Sequence, residues 1–381
     1  MTTFNGFPRP DGRVGVRNHV AVIACEASVN AIVRKVAAET GAQPVTHDHD
    51  DYLAGPDAEL VLRSLRGMAN HPNAGAVVLV GLDDFTCSGI ADGVNGKPFK
   101  VVSLANGGGA RGAVDSAIEA VRDFTARLGG DVRVSTPVSE LHVGLKCGGS
   151  DSMSGLSCNP ALGAACDILV DYGGTAVLTE TSGIYGAEFI LAGRAVNPEV
   201  ARRIYEIVDK VERDALALGM SLAQGNPSPG NIEGGLTTLA EKSLGTIKKC
   251  GSRPIQAVIA FGEEIRTKGV VIMDTPGLDV YSVAGPVSGG AQIEAFTTGR
   301  GSPLGAPLTP VQKIMGNPEN YTRMSHNMDI NAGTVITGER SLEQVGREIF
   351  NHWVAIANGA LTKAERWGHT EYALPRSGTV L

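Results

Sequence analysis

The sequence predicts an α/β protein made of two Rossmann-like parallel-sheet units, with its active site at the carboxyl ends of the strands. Three observations predict this. Short continuous apolar runs alternate with segments of helical spacing, the pattern of strands covered on both faces. Polar and glycine-rich clusters follow those runs, where open α/β sheets bind ligands. Fifty glycines in 381 residues, spread without a period, call for many tight turns and close backbone approaches.

The first strand is the run Val20-Ala21-Val22-Ile23-Ala24. Apolar positions Val29, Ile32, Val33, Val36 and Ala37 then predict a helix over 27–40 that stops near Gly41. Pro44-Val45-Thr46 reads as a weaker second strand, and Asp57 as the cap of a helix over 58–69. Strands over 76–80 and 101–104 and a helix over 112–128 complete an N-terminal α/β domain, residues 1–132. The break falls at Gly129-Gly130-Asp131. The C-terminal domain, residues 133–381, carries most of the chemical motifs. Its expected strands cover 141–145, 176–178, 257–261, 269–273, 293–296 and 311–315. Its expected helices cover 197–218, 236–250, 341–358 and 362–367, the last capped by Thr362. Two prolines and two glycines between Gly225 and Asn231 rule out helix there.

A net charge of -7 with no basic run argues against nucleic acid and anionic membranes as partners. No apolar run is long enough to span a bilayer, and the N-terminus lacks a basic stretch followed by an apolar one; a cytoplasmic protein is expected. The six cysteines form no CxxC pair and no zinc-ribbon spacing, which fits reduced thiols. Cys25, Cys87, Cys158, Cys166 and Cys250 are assigned to packing.

The densest chemical segment is Lys146-Cys147-Gly148-Gly149-Ser150-Asp151. It places an amine, a thiol, a hydroxyl and an acid after a buried strand. Glu180, Asp274, Thr298 and Arg300 follow later strands in the same way. In His47-Asp48-His49-Asp50-Asp51 the two imidazoles share one side of an extended segment, and imidazole with carboxylate suits a divalent transition metal. The planar fork of Arg300, between glycines, suits a carboxylate, and Arg17 and Asn18 before the first strand are weaker candidates of the same kind. Gly107-Gly108-Gly109 matches neither the dinucleotide fingerprint nor a P-loop. The set fits chemistry beside a carboxylate: proton abstraction, enolate stabilisation and loss of a β-substituent.

Several long segments resemble the altronate/galactarate dehydratase family. They are Gly6–Asn18, Lys146–Asp151, Gly225–Asn231 with the following Glu233–Thr238, Met273-Asp274-Thr275-Pro276-Gly277, and Phe296–Gly301. The resemblance implies dehydration of a sugar acid or small hydroxy acid to a 2-keto-3-deoxy acid, with Fe²⁺ or another divalent ion. The family also includes the large subunit of sulfolactate sulfo-lyase, which expels sulfite. A small β-rich domain accompanies the large part in this family, so a separate small subunit, or its loss, is implied, and a homo-oligomer is expected. By the resemblance His47, Cys147, Ser150, Asp151, Glu180, Glu188 and Asp274 match the family's polar motifs. The expected metal ligands are His47, Cys147 and Glu180. The expected proton-transfer residues are Lys146, Asp151 and Asp274, and the substrate-binding residues are Arg17, Asn18, Ser150, Thr298 and Arg300. Two family positions depart from the pattern: acids stand at Asp48 and at Asp83-Asp84 where thiols are usual. Carboxylates suit a harder ion such as Mn²⁺ or Mg²⁺. A sulfo-lyase and a non-catalytic sugar-acid-binding paralogue are the alternative readings.

Overall fold

The computed structural model describes residues 2–50 and 53–377; Asp51 lies outside them. Among the described residues fourteen strands run in chain order. They are β1 (Thr3–Pro8), β2 (Val14–Gly15), β3 (His19–Ala24), β4 (Gln43–Val45), β5 (Ala74–Gly81), β6 (Phe99–Ser103), β7 (Val134–Pro137), β8 (His142–Cys147), β9 (Thr175–Leu178), β10 (Ile255–Ile259), β11 (Gly269–Met273), β12 (Ile293–Thr298), β13 (Val311–Met315) and β14 (Ile330–Asn331). Two parallel sheets result, one of four strands in the order β4-β3-β5-β6 and one of seven in the order β10-β11-β9-β8-β12-β13-β14. This is the α/β architecture with two parallel sheets that the alternating pattern predicts. A third, small sheet, β2-β1-β7, is antiparallel. Its strands are only two to six residues long, so periodicity gives no sign of them, and β1 at the N-terminus pairs with β7 more than a hundred residues away.

In β3 the side chains of Val20, Val22 and Ala24 pack with the helices Asn30–Thr40 and Gly109–Leu128, whereas Ala21 and Ile23 face the helix Gly55–Ala69. The second face continues into the seven-stranded sheet, because Phe261, Val283, Ala284, Val287, Phe296 and Val311 belong to the same core. The helices Gly55–Ala69 and Asp279–Ser288 meet there. A Cβ at Gly67 would run into the Ser288 carbonyl, so only glycine permits this approach. The other face of the large sheet is covered by the helices Cys158–Asp171, Pro198–Ala217 and Leu342–Ala357, with Trp353 fully buried and donating from its indole to Gln312 Oε1 at 2.8 Å.

Several local expectations are corrected. Asp57 sits inside the first turn of its helix instead of capping it, and its carboxylate accepts from the Ser377 amide at 3.0 Å. The helix expected over 236–250 is the shorter Leu239–Thr246 followed by a 3-10 turn, Ile247–Cys250. The 225–231 loop holds one helical turn, Pro229–Glu233, because Pro229 occupies the first turn, where its missing N–H costs nothing. Thr362 does cap its helix, accepting from the Glu365 amide at 3.2 Å.

Arg17 and Asn18 precede β3, at the end of the sheet opposite to its carboxyl edge. The buried Arg17 guanidinium donates to Glu365 Oε1 at 2.8 Å and to the Val16, Ile356 and Ala360 carbonyls at 2.9, 2.8 and 2.7 Å. Asn18 accepts from Arg9 at 2.8 Å and donates to Asp131 at 2.9 Å. Their expected substrate role is replaced by a structural one: they fasten the C-terminal helices and the 128–131 turn to the base of β3. Arg17→Met removes a buried cation that donates to three carbonyls and pairs with the partly buried Glu365 carboxylate, and is expected to remove about 3–5 kcal/mol from the unfolding free energy in urea; a loss below about 1 kcal/mol contradicts this role.

Candidate functional site at the carboxyl ends of the large sheet

Strand order places a crevice in the large sheet. From β8 the chain moves to β9 on one side, and from β12 it moves to β13 on the other, so connections diverge between the neighbours β8 and β12. Ligands of open α/β sheets sit at such switch points. The turns that leave β8 and β12 are tied together. The Gly148 amide donates to Thr297 O at 3.0 Å, and the Gly299 and Arg300 amides donate to Gly149 O at 3.2 and 2.9 Å. Gly148 cannot be replaced, since a Cβ there would overlap the Asp279 carboxylate and the Phe296 ring. Gly149 takes φ +60°, which favours glycine.

Beneath this crevice lies a buried charge network. Lys146, on β8, is fully buried. Its ammonium contacts Glu180 Oε2 at 3.0 Å and Asp279 Oδ1 at 3.3 Å, and donates to the Gly277 carbonyl at 3.0 Å. Lys249, also fully buried, approaches Glu180 Oε2 from another side at 3.7 Å. Burial alone pushes the Glu180 carboxyl up, but Lys146, Lys249 and Lys242 outweigh it and hold the group below the usual carboxylate range. Burial likewise pushes Lys146 down, and Glu180, Asp279 and Cys147 outweigh it and hold the ammonium above its ordinary value. Both partners are therefore ionised.

Glu180 follows β9 and adopts φ 73°, ψ 71°, a left-handed conformation that a non-glycine residue rarely takes. Its amide donates to Thr275 Oγ1 at 2.7 Å, and the Thr181 amide donates to the Thr275 carbonyl at 3.0 Å, so the turn after β11 holds the strained residue in place. Such strain costs about 1–3 kcal/mol and clusters at functional sites. The Cys147 thiol donates to Glu180 Oε2 at 3.4 Å and lies 3.8 Å from Thr246 Oγ1, while Ser150 Oγ donates to the Cys147 sulfur at 3.6 Å.

Asp274 follows β11 and accepts from Thr181 Oγ1 at 2.6 Å. It lines a cavity of about 550 Å³ with Arg63, Ser182, Lys210, Thr275 and Gly277. The cavity adjoins the charge network through Gly277, whose carbonyl holds Lys146. Arg300 is exposed, and its guanidinium lies against Gly230 of the Pro229–Glu233 turn, where a side chain would collide with it. Thr298 Oγ1 accepts from the Gly301 amide at 2.8 Å.

Asp151 departs from its expected role in proton transfer. It caps the helix Ser152–Leu156, accepting from the Ser154 amide at 2.7 Å through Oδ1 and from Asn317 Nδ2 at 3.1 Å through Oδ2. Both oxygens serve structure.

The expected metal ligands do not assemble. The buried His47 ring accepts from the His49 amide at 3.2 Å through Nδ1, which leaves Nε2 to donate to Ala24 O at 3.0 Å. Its only ring lone pair is thereby used. Burial pushes its pKa down, so the ring is neutral. Glu180 lies between two ammonium groups, a poor place for a second cation. Among the described residues no three His, Cys, Asp or Glu side chains converge to hold a metal ion.

Sequence reasoning missed Lys249, Thr246 and Asp279. Lys249 falls at the end of the helix expected over 236–250, and nothing in its spacing marks it as buried. Asp279 follows a Pro-Gly turn and opens a helix, a signal that was present in the sequence.

Comparison with known proteins finds matches along nearly the whole chain. The C-terminal model of the D-galactarate/altronate dehydratases matches residues 138–380, and the model of the second domain of the D-galactarate dehydratases and altronate hydrolases matches residues 6–129. The chain is 34% identical to an altronate dehydratase of Bacillus subtilis over its whole length and 78% of that protein's. It is 33% identical to the L-threo-forming galactarate dehydratase of Escherichia coli, with 98% of this chain and 76% of that one aligned. It is also 34% identical to the β subunit of a (2R)-sulfolactate sulfo-lyase of Chromohalobacter salexigens, over 98% of this chain and 97% of the subunit.

Glu180→Gln takes the counter-ion from the buried Lys249 and leaves Lys146 with Asp279 alone, and is expected to cost about 3–5 kcal/mol. That cost depends on pH. Because the folded carboxyl is depressed from its ordinary 4.5, its stabilisation is fully present above that value and fades as the pH falls through the lower folded value. The stability gap between wild type and variant, measured in urea, should therefore be constant at neutral pH and close on acidification; a gap that widens in acid contradicts the assignment.

Proposed function

The chain belongs to the D-galactarate/altronate dehydratase family, and on that premise we propose that it removes water from a sugar acid to give a 2-keto-3-deoxy acid. The observation that carries this reading is the buried Lys146–Glu180–Lys249 network at the switch point of the sheet. Three lysines, counting Lys242, surround one carboxylate there, which favours an anionic ligand.

In the proposed reaction a base takes the proton from the carbon beside the substrate carboxylate, and the hydroxyl on the next carbon leaves as water. The resulting enol tautomerises to the ketone. Asp274, on the cavity wall, takes the proton. The Lys146 ammonium, kept charged by Glu180 and Asp279, supplies one to the departing hydroxyl. Arg300 holds the carboxylate as a bidentate pair, with Ser150 and Thr298 beside it. No step is routed through a metal, because the donor set is not assembled around one.

Full-length coverage of the sulfo-lyase β subunit favours a second reading, loss of sulfite from a sulfonated hydroxy acid by the same geometry. That relative is named as a subunit, so a partner chain belongs to this reading.

The test is to incubate the protein with altronate, galactarate and sulfolactate, each with and without Fe²⁺, Mn²⁺ or Mg²⁺, and to measure 2-keto acid and sulfite. Keto acid from a sugar acid supports the dehydratase; sulfite from sulfolactate supports the second reading; neither product under any condition overturns both. Arg300→Ala should raise KM by about tenfold or more with a smaller change in kcat; an unchanged KM removes Arg300 from the carboxylate site. Asp274→Asn should lower kcat by about 10²–10⁴-fold.

A further inference from the structure

A third fully buried lysine, Lys313, lies two strands from Lys146. In register across the sheet, Lys146 on β8 stands beside Phe296 on β12, and Phe296 beside Lys313 on β13. All three side chains are fully buried. Lys313 Nζ sits 3.9 Å from the centroid of the Phe296 ring and has no hydrogen-bond partner among the described residues. One step down the strands, both oxygens of the fully buried Glu294 also lack a partner, in a space left open because residue 144 is glycine. Asp279, already 3.3 Å from Lys146, is the foremost carboxylate favouring a charge on Lys313, followed by Asp329, Glu371 and Glu294.

We infer that Lys313 is a positioning residue of the elimination site, which by gaining or losing one proton sets how firmly Asp279 holds the Lys146 ammonium. The inference rests on the proposed dehydratase reading. An amine buried without a hydrogen-bond partner is less stable than an apolar side chain of the same volume. A site that spends stability on a titratable group is a candidate for function. The Lys313 ammonium and the Asp279 carboxylate both border the Phe296 ring, so with Lys313 charged Asp279 faces a second cation besides Lys146. With Lys313 neutral, that second attraction is gone and Asp279 is left to Lys146. Burial pulls the Lys313 amine down to about 7, so the change falls at neutral pH, and burial keeps the nearby Glu294 well above the carboxylate range and hence uncharged. The groups facing Lys313 are therefore the carboxylates of Asp279, Asp329 and Glu371, the neutral Glu294, and Lys146 across the Phe296 ring.

Two variants fix the two states: Lys313→Met mimics the neutral amine and Lys313→Arg keeps a charge at every pH. With the sugar acid found in the screen, kcat of the wild type should change with a midpoint near 7. Each variant should lose that transition, the Met form keeping the high-pH value and the Arg form the low-pH value. A transition near neutrality that persists in both variants overturns the inference while leaving the dehydratase reading intact. An independent readout needs no turnover. The unfolded lysine binds a proton up to 10.5 and the folded one only up to about 7, so wild-type Tm should gain on that of Lys313→Met as pH rises between these values. A parallel course of the two Tm curves also overturns it. If the wild type turns over no sugar acid, the dehydratase reading fails and the positioning role fails with it, whatever the Tm curves show.

Discussion

The ion pair between Lys146 and Glu180 is the constraint on which the rest of the site depends. Removing two charges from water costs several kcal/mol each, and a chain keeps such a pair only when geometry repays that cost. The pair lies at 3.0 Å, Lys146 has two further oxygen partners, and Lys249 flanks Glu180. Holding Glu180 in this position requires a left-handed backbone, which Thr275, in the turn after β11, braces by accepting from the Glu180 and Thr181 amides. Glycine at 148 follows from the same need, since Asp279 and Phe296 fill the space where a side chain would go.

The fold supplies that geometry through strand order. A parallel sheet whose connections diverge at β8 and β12 leaves its turns facing one crevice, and their mutual hydrogen bonds fix the floor of the site to within the precision of the sheet. The four-stranded unit contributes from the other side. Its helix Gly55–Ala69 packs on Asp279–Ser288, the helix whose first residue is the Lys146 partner, and sends Arg63 into the cavity that Asp274 lines. The two sheets therefore share one apolar core, and the charge network lies at its upper margin.

Much of this was legible in the sequence, and the reasons differ by element. Runs such as Ala76–Val80 and Gly269–Met273 announced buried strands because both faces are apolar. The Lys146–Asp151 segment stood out because its residue types have no use in a plain turn, and Lys146, Cys147 and Glu180 do meet in space. The roles of Asp151 and His47 were illegible because capping and ring hydrogen bonds depend on which backbone amides arrive nearby. Lys249 was hidden by its helical context. Lys313 and Glu294 were visible, as charges inside strands read as buried, but their meaning required the register that aligns them with Phe296.

The proposed elimination is tested most directly by carrying out the reaction in D₂O and analysing the keto acid by mass spectrometry and NMR. Loss of water through an enol predicts one solvent deuterium on the carbon next to the new ketone, because tautomerisation takes its proton from the medium. A keto acid formed without solvent deuterium at that carbon would contradict elimination through an enol, and with it the proton-transfer roles of Lys146 and Asp274.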